Sequence, residues 1–224
     1  VTISLLTPTR ERPDNIKRMV DSARSTSDNE VEFIFYVDED DRASADMIWK
    51  LDCTVVLGPR IVLSEMWNKC YEYSNSEINM HCGDDIVFRT AHWDSQVKAE
   101  FAKVPDKIVL VHGEDGIQGE ALATHSFLHR NWTEALGYFV PPYFSSDFND
   151  TWLTDLAVRI GRKVFLPDLY TEHMHPCAGK GTWDKTHQER LVRHWADDVT
   201  GKYESMQRDR ELDAEKLREF IAAF

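Results

Sequence analysis

Ile78-Asn79-Met80-His81-Cys82-Gly83-Asp84-Asp85 is the stretch on which the fold turns. Residues 78–82 predict a short buried strand, and the run stops on a glycine followed by two adjacent carboxylates. In an open parallel sheet ligands settle beyond the carboxyl ends of the strands, so polar residues at that point carry more weight than elsewhere. Upstream the same rhythm repeats. Strands are predicted at 1–7, 31–37 and 53–57, the second from the β-branched and aromatic run FIFYV. Helices are predicted at 13–25, 43–50 and 62–73, the first with Ile16, Met19, Val20 and Ala23 on one face. Strands that alternate with helices imply an α/β fold with a mostly parallel central sheet and right-handed crossovers.

Downstream the pattern is less regular. Strands are expected at 108–112 and 163–166, and a helix at 151–160 closed by Gly161. From Trp183 onward the chain is charged and helical, ending in an amphipathic helix at 212–224. With no repeat, linker or low-complexity segment, one domain is expected: 1–180 as the α/β unit and 181–224 as a helical extension packed on it.

The four strand ends bring Thr7-Pro8-Thr9-Arg10, Asp38-Glu39-Asp40-Asp41, Gly58-Pro59-Arg60 and Gly83-Asp84-Asp85 towards one place. Adjacent carboxylates repel unless protons or a cation compensate them. A hard divalent cation held by carboxylate oxygens and substrate phosphates is one resolution, and a solvated turn with an Asx bond is the other. The formal net charge of −13, from 39 acidic and 26 basic residues, disfavours non-specific nucleic-acid binding. No stretch of roughly 18 apolar residues is present to span a membrane. The opening apolar run has no basic region or cleavage site before it, which argues against a signal peptide. Cys53, Cys70, Cys82 and Cys177 form no CxxC pair, and free thiols in a reducing cytoplasm are expected.

Ser4-Leu5-Leu6-Thr7-Pro8-Thr9-Arg10, then Phe35-Tyr36-Val37-Asp38, then Asn68 and Gly83-Asp84-Asp85 occur in an order that resembles family 2 glycosyltransferases and their GT-A relatives. The resemblance implies a Rossmann-like GT-A sheet flanked by helices. It places Thr7, Pro8, Thr9, Arg10 and Asp38 beside the nucleotide of a nucleotide-sugar donor, with UDP as the default, and Asn68 in the following helix. Asp84 with Asp85 takes the position of the DxD-like metal motif, although the pair is not a strict Asp-x-Asp. Trp67 stands where many relatives carry Arg, so Arg60 is expected to take over a phosphate contact. An Asp eleven residues before a Gly at a helix end is the catalytic base of inverting members, and Asp150 precedes Gly161 by that spacing. Asn149 replaces the usual Glu before it. A carboxylate in the first helical turn is held ionised by the helix dipole and can accept a hydroxyl proton, but Asp is also a favoured cap.

Glu172-His173-Met174-His175 places two imidazoles on one face of an extended segment. A late His, here His175, joins the metal shell in several relatives, and a mixed carboxylate and imidazole set favours Mn²⁺ over Mg²⁺. Packed histidines, or a zinc site through Cys177, are the alternatives. Lys180, between Gly179 and Gly181, is a candidate diphosphate partner on a closing loop. Trp132, Tyr138, Phe139, Tyr143 and Phe144 are expected in the core, with an acceptor platform as the alternative. The expected activity is transfer of a sugar to a hydroxyl acceptor of unspecified identity, and the C-terminal helices offer a face for a homodimer. A degenerate member that binds nucleotide-sugar or glycan without turnover is a rival, as is a nucleotidyltransferase. The second lacks its glycine-rich loop in Leu6-Thr7-Pro8-Thr9-Arg10.

Overall fold

The computed structural model describes residues 2–224, so the first residue of the strand expected at 1–7 lies outside it. Eight strands form one sheet in the order β3-β2-β1-β4-β7-β6-β8-β5. The strands are β1 (Ile3–Thr9), β2 (Val31–Asp38), β3 (Thr54–Gly58), β4 (Ile78–His81), β5 (Ile86–Phe88), β6 (Leu110–Glu114), β7 (Ser126–His129) and β8 (Lys163–His173). The first half matches the expected rhythm: β3, β2, β1 and β4 are parallel, joined by α1 (Pro13–Thr26), α2 (Arg42–Lys50) and α3 (Leu63–Glu72). Ile16, Met19, Val20 and Ala23 are the buried face of α1, as the periodicity predicted.

The second half is mixed. β7 runs antiparallel to both β4 and β6, β8 parallel to β6, and β5 antiparallel to β8. Four elements were not anticipated: β5, β7, α4 (Trp93–Ala102) and α5 (Arg130–Leu136). β8 also runs seven residues past the expected end at 166. Pro167-Asp168 reads as a breaker, yet the pairing with β6 jumps from Leu166 to Tyr170, and the exposed Pro167 and Asp168 sit in that bulge. Gly113 is the facing residue that permits this, since a Cβ there would lie 2.1 Å from the Leu169 carbonyl oxygen.

One face of the sheet packs on α1, α2 and α4. The other packs on α3, α5, α6 (Asn149–Arg159) and the last helix, α9 (Gln207–Ala223), which follows α7 (Lys185–Ala196) and α8 (Val199–Ser205). Trp132, Phe139 and Phe144 are buried in this second layer, which makes them core. The extension is tied in by Ala214 and Leu217 and by Arg210, whose guanidinium lies 4.0 Å from the Tyr203 ring centre and 2.8 Å from Asp155. Asp155 is therefore a link between α6 and α9 as well as an i,i+4 partner of Arg159. No helix among the described residues is long and apolar enough to cross a membrane.

Candidate functional site

The carboxyl ends of β1, β2 and β4 open into a cleft of about 380 Å³, roofed by the segment entering α6 and by α7. Pro8, Thr9, Arg10, Asp38, Arg60, Asp84, Asp85, Asp150 and His175 all line it, although up to 167 residues separate them in sequence. β1 continues through Thr9, so Thr7, Pro8 and Thr9 belong to the strand and not to a turn after it. Pro8 falls beyond the last β4 partner, Leu6, where that side of β1 needs no ladder donor. Glu11 then takes a left-handed conformation (φ 53°) between Arg10 and Arg12, both of which face the cleft.

Asp84 is buried, with Oδ2 accepting from the Thr9 hydroxyl at 2.6 Å and Oδ1 from Arg12 at 3.0 Å. Burial pushes its carboxyl pKa up against the pull of Arg12. Burial also works against ionised Asp85, but His173, with Nε2 3.4 Å from Oδ2, outweighs it and holds Asp85 below the usual range. The neighbouring carboxylates are thus pushed in opposite directions, Asp84 up by burial and Asp85 down by the imidazole. On its other side His173 Nδ1 lies 4.0 Å from Asp115, whose Oδ1 accepts from the backbone of Ile117, Gln118 and Gly119.

Arg10 is bound to the buried Asp38 and, at 3.0 Å, to Asp40. Of the acidic run 38–41 only Glu39 and Asp40 are exposed. Asp41 caps α2 through Ser44 N at 3.2 Å and holds Glu11 N at 2.6 Å, so it is structural and not a solvated loop group. Arg60 reaches Glu189 of α7 at 2.5 Å and lies 3.6 Å from Asp38.

Asp150 occupies the first turn of α6, entered through Phe148 in a left-handed conformation (φ 71°). Its Oδ1 accepts from Thr151 N at 2.7 Å. Burial raises its carboxyl pKa to about 6, with the nearby Asp147 adding to the effect. Asp147 itself is held by Arg190 and, at 2.7 Å, by His194.

Three expected residues stand apart. Thr7 is fully buried, its hydroxyl 3.2 Å from the Cys82 sulfur. Asn68 clamps the chain at Phe139 and Val140 through three hydrogen bonds of 2.9 to 3.2 Å. Lys180 is turned to Glu172 at 2.8 Å and Tyr170 at 3.1 Å, and does not line the cleft. Sequence reasoning missed Arg12, His81, His125 and the α7 set His187, Glu189, Arg190 and Arg193, which do line it. Arg12, two residues past Arg10, was within reach of the strand-end argument. The α7 residues follow only from how the extension folds back.

Asp84 and Asp85 are buried carboxylates of the cleft and His173 is the imidazole beside them, a donor chemistry that suits Mn²⁺, but as placed Thr9 and Arg12 occupy both Asp84 oxygens and His173 faces Asp85. Among the described residues no three His, Cys, Asp or Glu side chains gather into a ready-made metal cluster, including His173, His175 and Cys177. A cation could settle on these groups only where they exchange those contacts and a ligand's phosphate oxygens complete its shell. His175 lies one step further out, with Nδ1 accepting from Cys177 N at 3.2 Å and its pKa lowered to about 4 by burial and by His173.

Sheet order and cleft together define a GT-A fold, an open α/β sheet with an acidic strand end at its centre. No family model matches the sequence, and no curated protein matches it either. Among solved structures the fold is similar to the mannosyltransferase PcManGT from Pyrobaculum calidifontis in complex with GDP-Man and Mn²⁺ (TM-score 0.63, 14% identity, 99% of this chain and 74% of that one). It is similar to TarS of S. aureus (0.60, 12%, 87% of this chain), of which it spans only 44%. It is also similar to glucosyl-3-phosphoglycerate synthase from Mycobacterium tuberculosis in complex with Mn²⁺, UDP and glucosyl-3-phosphoglycerate (0.58, 15%, 78% and 72%).

Proposed function

We propose that the chain is a metal-dependent glycosyltransferase that moves a sugar from a nucleoside diphosphate to a hydroxyl acceptor with inversion. The observation that carries this reading is convergence: Thr9, Arg10, Asp38, Asp84, Asp85 and Asp150 meet in one cleft of a GT-A fold. The GDP-Man, UDP and Mn²⁺ complexes of the similar structures support a nucleotide-sugar and Mn²⁺, and UDP is our default donor nucleotide. We assign nucleotide contacts to Pro8, Thr9, Arg10 and Asp38 and diphosphate contacts to Arg12 and Arg60. The divalent cation goes to Asp84 and Asp85 with His173, and His175 behind it. Bound there, the cation would offset charge on the departing diphosphate.

Asp150 accepts the proton of the acceptor hydroxyl as that oxygen bonds to the anomeric carbon. The carbon–oxygen bond to the diphosphate breaks on the opposite face, and the diphosphate leaves with the electron pair. A carboxylate with a pKa near 6 is mostly ionised at neutral pH yet basic enough to share the proton in the transition state. We place the transferase unit at 1–180 with 181–224 as its extension, membership in family 2 and a cytoplasmic location included. The four free cysteines fit that compartment.

The test is a panel of UDP- and GDP-sugars with Mn²⁺ or with chelator, followed by donor hydrolysis and by transfer to hydroxyl acceptors. Mn²⁺-dependent turnover of one donor supports the reading. Tight donor binding with no product under any condition would favour a non-catalytic binder, and no binding at all would sink the transferase altogether.

A further inference from the structure

A buried polar atom without a partner loses the hydrogen bonds it made to water, so a cluster of them in one cavity wall asks for an explanation. His81 is 3% exposed and His125 is 5% exposed, and Nδ1 and Nε2 of both rings have no hydrogen-bond partner. The two residues are neighbours by construction. His81 ends β4, His125 stands just before β7, and the antiparallel register pairs His81 with Ser126. Both rings line the cleft. His112 has equally bare nitrogens but does not line it, packing instead on Phe165 at 5.1 Å.

The chemistry of the wall narrows what could meet it. Neither imidazole is hydrogen-bonded to a carboxylate and both are buried, His125 edge-on to His173 with ring centres 4.9 Å apart; an imidazole offers one N–H and one lone pair. An anion could use only the N–H groups and a cation only the lone pairs. Metal binding by the pair would need a third protein ligand, and no such group of three is gathered among the described residues. A hydroxyl donates and accepts at once, so it matches whichever nitrogen of each ring it meets. Beside His81 lies Trp67, ring centres 4.1 Å apart, its own N–H spent on the Cys82 carbonyl at 3.0 Å. Trp67 thus offers the cleft only apolar surface, suited to the C–H face of a sugar.

We propose that His81 and His125, backed by Trp67, form a subsite that recognises adjacent hydroxyls of a sugar ring. Assigning that ring to the donor or to the acceptor rests on the transferase reading. Recognition of hydroxyls does not. A site built to hydrogen-bond a hydroxyl rejects the analogue lacking it, because its own polar groups are then left bare. This wall would therefore choose among sugars while leaving the nucleotide indifferent.

The experiment follows the imidazole nitrogen signals of His81 and His125 by NMR in the wild-type protein with Mg²⁺, the diamagnetic substitute for Mn²⁺. It compares UDP alone, UDP-glucose, and UDP with free glucose, then the same series with GDP and mannose. Movement with a nucleotide-sugar but not with the nucleotide alone is expected and assigns the ring to the donor. Movement only on adding free sugar assigns it to the acceptor. Signals that stay still throughout, or that move fully with UDP or GDP alone, overturn the subsite. In parallel, His81→Phe and His125→Phe should bind UDP within about twofold of wild type and weaken the sugar-dependent gain on the order of tenfold. If either variant fails to fold, the wild-type signals still decide. A protein that binds nucleotide-sugars without moving these signals keeps the transferase reading and loses the subsite. One that binds no nucleotide but responds to free sugar does the reverse.

Discussion

Thr9, Arg10, Asp38, Asp84 and Asp85 reach the cleft from the ends of paired strands. Asp147, Asp150, Glu189, Arg190 and Arg193 reach it from the entry to α6 and from α7. The first set is locked: Asp84 is bonded at both oxygens, and Asp38 is 1% exposed against Arg10. The α7 rim is held from outside, by Asp184 on Arg12 at 2.7 Å, Glu189 on Arg60 at 2.5 Å, Thr186 on the Arg10 carbonyl at 3.1 Å and Asp147 on Arg190 and His194. Part-exposed ion pairs contribute about 0–1 kcal/mol each. The same cleft therefore joins a rigid floor to a roof whose contacts are individually weak, and substitutions on the two sides should behave differently.

The largest effect is expected on the floor. Asp85→Asn should abolish Mn²⁺-dependent donor binding and lower transfer on the order of 10³-fold, measured by titration of Mn²⁺ with UDP and by product formation. The fold should survive, since Asp85 is satisfied by one imidazole rather than by a network. Transfer that persists at wild-type rates would break the assignment of the floor as the metal side.

Next comes Asp150, the base proposed on the roof. Asp150→Asn should lower transfer about 10²-fold with donor affinity nearly unchanged. In the wild type kcat/KM should fall as pH drops through about 6, where Asp150 takes up its proton, and the variant should lose that limb. The sign for stability is opposite. A carboxyl whose folded pKa lies above its unfolded value of 3.8 loses stability as pH rises between the two, so Asp150→Asn should melt higher at pH 7. A variant that is both slower and less stable would mark Asp150 as a cap rather than a base.

Floor and roof also differ in how far the sequence disclosed them. A parallel β-α unit carries its own signals: apolar runs of strand length, a one-faced helix and polar residues at the strand end. That is why β1 to β4, α1 and the residues Thr9, Arg10, Asp38 and Asp84 could be read from the first 85 residues. β5 and β7 are three and four residues long and pair across distant sequence, so no local period marks them. β8 hid its second half behind Pro167-Asp168. Asn68 and Lys180 sit at plausible sequence positions, but their direction is set by Val140 and Glu172, contacts that no spacing encodes. For the same reason α7 read as a charged helix without revealing that its charges cover the cleft. The buried state of His81 and His125 depends on a strand pairing that was not foreseen.

The helices behind the roof offer a middle-sized test. Arg210 is 6% exposed, bonded to Asp155 and lying over the Tyr203 ring, so its removal opens the ring face while Asp155 keeps Arg159. Arg210→Ala should destabilise the protein by about 2 kcal/mol, read from urea unfolding, with one cooperative transition splitting into two if the extension detaches first. A change under about 0.5 kcal/mol would mean that Ala214 and Leu217 alone hold α9 in place.

The smallest effect should come from Glu189→Gln, and its sign is the informative part. Glu189 sits 2.5 Å from Arg60, a cation that the proposed diphosphate would use, and 3.9 Å from Arg10. Arg60 is 48% exposed at its side chain, so the ion pair contributes little to stability, and melting should shift by no more than about 1 kcal/mol equivalent. Removing the carboxylate frees Arg60 for phosphate. Donor KM should therefore fall about two- to fivefold at low salt, with the difference fading as ionic strength rises and screens the competing charge. If KM rises instead, Glu189 orients Arg60 towards the donor and α7 belongs to the binding surface in its present position. If KM and its salt dependence are both unchanged, Arg60 does not meet the diphosphate, and that contact passes to Arg12 on the floor.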